Sequence, residues 1–121
     1  MEKWGFRQLV AWQKAYQLSL DVYRMTSGFS SSEIYGLVSQ MRRAAVAIPN
    51  NIAEGYNRQH RKEYLQFLSV ASGSLAELET YLLLSHDLGY VNADRFASLD
   101  DLRKDVGRVL SGLIKSFQSA Q

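Results

Sequence analysis

The chain has 121 residues, 46% hydrophobic and 21% charged, enough to bury a core as one domain without disulfides or metal. It contains no cysteine, which excludes a disulfide framework, a thiolate metal site and a cysteine nucleophile, and fits a reducing cytoplasm. Fourteen basic and twelve acidic residues leave a net charge of only +2, so any case for a polyanionic partner must come from local clustering.

Charges at Glu2, Lys3, Arg7 and Lys14 break the first twenty residues, so neither a signal-peptide core nor a membrane span is expected there. The first helix is predicted from about Phe6 to Thr26, stopped at "TSGFS", where Gly28 can take a left-handed position. It carries two apolar stripes. Leu9, Trp12, Tyr16, Leu20 and Tyr23 form one; Ala11, Ala15, Leu18, Val22 and Met25 form the other, roughly opposite. A lone bundle buries one stripe per helix, so the second stripe is expected at a subunit interface, in a closed symmetric homo-oligomer.

The second helix is predicted from Ser32 to about Tyr56. Ser30 and Glu33 form a capping box before it, and Phe29 and Ile34 a hydrophobic staple. Its core face is Ile34, Leu37, Val38, Met41, Ala45, Ile48, Ile52 and Tyr56, and the apolar steps keep phase across Pro49. That continuity favours one kinked helix. A break with Asn51 as a fresh N-cap and Glu54 as its box partner is the alternative. In the kinked form the carbonyl of Ala45 loses its donor, and the amides of Asn50 and Asn51 are the local replacements.

The third helix is predicted from about Arg61 to Leu88, closed by Gly89; Asn92 then caps a fourth that runs to about Ser119. Gly73, unfavourable in mid-helix, is expected to make room for a neighbouring subunit. Four long helices joined by short connections read as an all-α, antiparallel up-down-up-down bundle.

The segments "QMRRAAVAIPNNIAEGYNR" (Gln40 to Arg58), "ASGSLAELET" (Ala71 to Thr80) and "FRQLVAWQKAYQL" (Phe6 to Leu18) resemble the 23S rRNA intervening-sequence protein family, over about Trp4 to Phe117. The resemblance implies a bacterial four-helix bundle that assembles as a homopentameric ring, with no established enzymatic activity. Many members are encoded inside insertions of the large-subunit rRNA gene. The fold is also similar to the accessory protein of diversity-generating retroelements, a basic pentamer that works with a reverse transcriptase; that is an analogy of fold. Pro49, Asn50, Asn51, Glu54 and Gly55 carry the shared motif and are read as architecture. Two positions depart from the pattern: Ala47 stands where a serine usually precedes "IP", and His60 where a serine commonly begins the third helix.

No metal-ligand spacing, phosphate loop or nucleophile–base arrangement is present, so no cofactor, metal or small-molecule substrate is expected. Glu54, with Asn50, Asn51 and Arg43, is the only polar grouping a hydrolase could use. The stronger signal is positive charge. Arg42, Arg43, Arg58, Arg61 and Lys62 face one acid, Glu54, a local +4 within a chain of +2. Repeated around a ring, such ends would bind RNA or DNA in a salt-sensitive way. Tyr56 and Tyr64 flank the cluster, placed either to stack on bases or to pack inward. The competing reading is a scaffold that recruits a nucleic-acid enzyme without touching phosphate.

Overall fold

The computed structural model describes residues 5–119; Glu2, Lys3 and Trp4, used in the sequence reading, lie outside them. Four α-helices form the bundle: α1 (Val10–Thr26), α2 (Ser39–Tyr56), α3 (Arg61–Asp87) and α4 (Ala93–Ser119). Each packs on its neighbours in chain order, and α1 closes the ring against α4. This is the up-down-up-down arrangement expected, with no strand among the described residues.

The helix ends differ from the expected ones in instructive ways. Phe6–Gln8 is a separate 3₁₀ turn, and extended Leu9 divides it from α1. Gly28 is not left-handed; among the described residues only Gly89 has positive φ, at 81°. Backbone N–H groups meet the last carbonyls of α1 instead, Ser27 at Tyr23 O (3.1 Å), Gly28 at Met25 O (3.3 Å) and Phe29 at Thr26 O (3.0 Å), and two hydroxyls add to them. Thr26 Oγ1 donates to Val22 O at 2.8 Å, and Ser27 Oγ to Tyr23 O at 2.8 Å. At the end of α3 the glycine does its expected work: Tyr90 N–H donates to Ser85 O at 2.9 Å and Gly89 N–H to His86 O at 3.0 Å, the paired bonds of a Schellman motif. Asn92 Oδ1 accepts from Arg95 N–H at 2.8 Å and caps α4.

The capping box before α2 is not formed. Ser30 Oγ accepts from Ser32 N–H in a 3₁₀ turn (Ser31–Glu33), and the Glu33 carboxylate accepts from Tyr90 Oη at 2.8 Å. A π-helical turn, Ile34–Val38, follows before α2 proper. The altered winding rotates Ile34, expected in the core, to 48% exposure and leaves Tyr35 94% exposed.

Pro49 lies inside one continuous α2, so the break at Asn51 does not occur. The carbonyl it frees on Ala45 is met from another helix, by Ser19 Oγ of α1 at 2.9 Å. Asn51 Nδ2 donates instead to Ala47 O at 2.7 Å. Pro49 is thus tolerated because α1 supplies the missing donor, which ties the kink to the α1–α2 contact.

The proposed interface stripe of α1 is corrected by burial. Ala11, Ala15, Leu18, Val22 and Met25 are at most 6% exposed and belong to the protomer's own core. The outward stripe is the aromatic one, with Tyr16 and Tyr23 nearly half exposed and Trp12 half-buried. Alanines let backbones approach closely, whereas Trp and Tyr accept a half-wet position because one edge is polar. Gly55 makes the closest approach of α2 to α3: an added Cβ would sit 2.8 Å from Phe67 Cβ and from the Tyr64 ring. Gly73 is exposed, with no atom within 4 Å of where its Cβ would be, so it makes room for nothing in the protomer.

Candidate nucleic-acid interface

The cations singled out in the sequence fall into two groups. Arg42 is absorbed by structure: its Nε donates to Thr26 Oγ1 at 2.8 Å, Nη2 to Tyr23 O at 3.3 Å, and its guanidinium lies 4.5 Å from the Tyr23 ring centroid. It helps to finish α1, where a cation meets the negative end of the helix dipole. Arg43 is exposed and hydrogen-bonds Gln40 Oε1. Arg58, Arg61 and Lys62 stand at the opposite end of α2, around the turn into α3, and all three are exposed. Arg58 reaches Glu54 Oε2 at 3.3 Å and covers the Phe67 ring at 4.9 Å.

Two further cations reach that end, which the linear sequence did not bring together. Phe117 packs on Tyr64 with ring centroids 4.7 Å apart, and so carries the last turns of α4, with Lys115, beside the start of α3. Phe6 lines a groove with Pro49 and Ala53, which sets Arg7 toward the same end of α2. Among the described residues Arg7, Arg58, Arg61, Lys62 and Lys115 then share this end with Glu54 and Glu63, five positive charges to two negative. The other end balances Asp21, Glu33, Asp87 and Asp94 against Arg24, Arg42, Arg43 and Arg95. The bundle is electrically polarised along its axis. The signal for Arg7 and Lys115 was the topology: in an antiparallel bundle, the first and last turns of the chain must join the α2–α3 turn.

Beneath the basic end the aromatics pack inward. Tyr64 is buried against Tyr56 (6.2 Å) and Phe117, so it offers no stacking platform. Burial, with a smaller contribution from Tyr56, pushes its phenol up to about 12, and its hydroxyl has no hydrogen-bond partner among the described residues.

The grouping once considered for hydrolysis comes apart. Glu54 pairs with Arg58, Asn51 with the Ala47 carbonyl and Arg43 with Gln40, while Asn50 lines the groove beside Trp12 and Tyr16, so these side chains bond to different partners and not to one another. No group of three or more His, Asp or Glu among the described residues could hold a metal. On the far side of the molecule an ion-pair network joins α3 to α4. Arg103 reaches Asp100 at 2.8 Å and Glu79 at 3.4 Å. Burial raises the Asp100 carboxyl, but Arg103 and Lys104 outweigh it and hold it below its ordinary value.

The sequence matches the 23S rRNA-intervening sequence protein family over residues 7–112. The chain belongs to that family. One solved relative by fold is a protein of unknown function from the S23 ribosomal protein family of Bacteroides thetaiotaomicron VPI-5482. It is 20% identical, with a TM-score of 0.81 over 88% of this chain and 96% of that one. Among curated proteins none matches the sequence. At that identity the shared property is the four-helix fold. Residues within the matched region have physical roles in that fold: Pro49 and Asn51 shape α2, and Gly55 lets α3 close on it.

α3 is apolar on more than one side. Its inner face (Leu68, Leu75, Leu78 and Leu82) is core, yet Val70, Leu83, Leu84 and Leu88 on the outside are about half exposed, with Gly73 and Ala76 between them. Arg61–Asp87 is accordingly long and apolar enough to cross a membrane, with mean hydropathy 1.2 over its best window. A single helix of this kind, with its inner face already packed in a bundle, is weak evidence for a membrane. α3 thus carries aliphatic residues on both its buried and its open faces.

Proposed function

We propose that this chain is a non-enzymatic nucleic-acid-binding protein of the bacterial cytoplasm that works as a homo-oligomer. The resemblance implies a pentameric ring. The observation that carries the binding reading is the basic end, where Arg7 and Lys115 join Arg58, Arg61 and Lys62. A ring multiplies each weak phosphate contact by the number of protomers, raising avidity through effective concentration. Cationic ends aligned on one face of the ring would meet the backbone of structured RNA or DNA without reading its sequence. The outer face of α3, with Gly73, Leu83 and Leu84, replaces the buried stripe of α1 as the surface for assembly.

The test is a salt titration of binding to an RNA hairpin and to the matching DNA hairpin. Wild type should lose affinity linearly in log salt, and the Arg58→Glu, Arg61→Glu, Lys62→Glu variant should lose most binding and flatten the slope. Binding no stronger or more salt-sensitive than that of a control protein of equal net charge would refute this reading. A ring that recruits a nucleic-acid enzyme would then remain.

A further inference from the structure

The seam between α1 and α2 holds two grooves whose lining residues include no acid. One, of about 510 Å³, lies where the π-helical turn meets the end of α1, with Tyr23, Tyr35, Arg42 and Arg43 in its walls. The other, of about 240 Å³, lies at the level of the proline kink, with Trp12, Tyr16 and Asn50 in its walls. Trp12 and Tyr16 are already stacked, with centroids 4.9 Å apart and planes 15° apart, and Tyr16 keeps 48% of its surface in water. Tyr35 is 94% exposed. Its ring is therefore fully available to a partner.

The first groove combines planar rings with guanidinium groups, and the second supplies a stacked aromatic pair. The Arg42 guanidinium is held over Tyr23, and Arg43 sits on the outer line of α2, two turns before Asn50. Tyr16 and Tyr23 are about 10 Å apart along α1 by the helical rise. Exposed rings and cations along one seam suit a flexible chain that carries a planar group and a negative charge in every repeat. A helix face of another protein needs aliphatic pockets, and here the polar Asn50 and two cations would be buried against it at a cost. Asn50 is exposed, and its amide can both donate to and accept from a base edge.

We propose that the α1–α2 seam is a track for an unpaired segment of nucleic acid. Bases stack on Tyr35 and on the Trp12–Tyr16 pair, phosphates lie against Arg43, and Asn50 meets a base edge. The proposal rests on the nucleic-acid reading but uses a different surface from the basic end. It divides the labour: the end holds the backbone of a structured element, and the seam holds the single strand beside it.

The probes are a fluorescein-labelled twenty-nucleotide oligo(U) and a blunt RNA hairpin closed by a short loop, each bound to the full chain. Tyr35→Ala and Tyr16→Ala should each weaken oligo(U) binding about 5- to 100-fold, the range of one lost base stack, without changing the salt slope. Hairpin binding should change less than twofold. Arg43→Gln should lower the oligo(U) salt slope by about one. Because Tyr35 is almost wholly in solvent, its variant keeps the fold, and circular dichroism checks both. Unchanged oligo(U) affinity in Tyr35→Ala and Tyr16→Ala overturns the proposal. So does a change of mass in light scattering on these substitutions, which would assign the seam to a second copy of the chain. If the charge-reversed basic end alone abolishes binding of both probes, the seam fails and the wider reading survives. If wild type binds neither probe, both fall.

Discussion

α1 and α3 both carry apolar residues on two sides, yet the bundle treats them differently. In α1 the stripe of Ala11, Ala15, Leu18 and Val22 faces the core, and the larger aromatic stripe is left at the surface. In α3 Leu68, Leu75, Leu78 and Leu82 face inward, and the outer side is a second, largely apolar run from Val70 through Gly73 to Leu83 and Leu84, interrupted by the exposed Glu77. The difference is chemical. Tyr and Trp at the edge of a groove keep a polar atom wet, whereas Val and Leu on an outer face gain nothing from water. Periodicity finds faces but does not rank them; small residues mark the closest packing, and half-polar rings mark the margin.

Charge substitutions sharpen this contrast most. Leu18→Asp with Val22→Asp puts two carboxylates into a fully buried site, so thermal unfolding should show no cooperative native state. Even Leu18→Ala should cost about 2–5 kcal/mol. Leu84→Asp, on the exposed face of α3, should keep helicity and melting behaviour while reducing the assembled mass in light scattering. A folded monomer from the α1 variant, or an intact assembly from the α3 variant, would reverse the assignment of the two faces.

The fold was readable because its signals are local: Gly89 and Asn92 act at the ends of α3 and α4 as their chemistry demands. The departures depend in part on contacts far apart in sequence. At the end of α1, where Gly28 is not left-handed, a tight backbone turn meets the last carbonyls and Arg42 of α2 adds a bond to Tyr23 O. Glu33 leaves its capping box for Tyr90, fifty-seven residues away. The basic cluster of Arg58, Arg61 and Lys62 was legible as a run of charge. Its partners Arg7 and Lys115 were not, because only the closed bundle brings both chain ends to it. Likewise Arg42, the same residue type beside Arg43, has a structural job that no count of charges reveals.

A smaller effect tests the link between α1 and the proline kink. Ser19 is the donor for the carbonyl that Pro49 strands on Ala45, and both residues are buried. Ser19→Ala removes that donor and leaves a buried acceptor unmet, so it should destabilise the protein by about 1–3 kcal/mol in urea unfolding. Asn51→Ala should cost less, because the Ala47 carbonyl it contacts is only partly buried. Equal losses in the two variants would mean that the kink is held locally, within α2, and not from α1.

The smallest effect lies beneath the basic end, where Tyr64 packs between Gly55 and Phe117. Its phenol is raised from 10.0 to about 12, first by burial and then by Tyr56, so the folded chain holds this proton more tightly than the unfolded chain. The stability tied to that proton is fully present below the unfolded value and is lost as pH rises through the folded one. Tyr64→Phe removes the ionisation together with a hydroxyl that has no partner among the described residues. Near neutral pH the variant should therefore be as stable as wild type, or up to about 1 kcal/mol more stable. Above about pH 10 the gap should widen in its favour, because only the wild-type chain gains by ionising when it unfolds. Urea unfolding of both proteins at neutral pH and in alkaline buffer measures the difference. A variant clearly weaker at neutral pH would show that the hydroxyl contributes a bond to the floor on which Arg58, Arg61 and Lys62 stand.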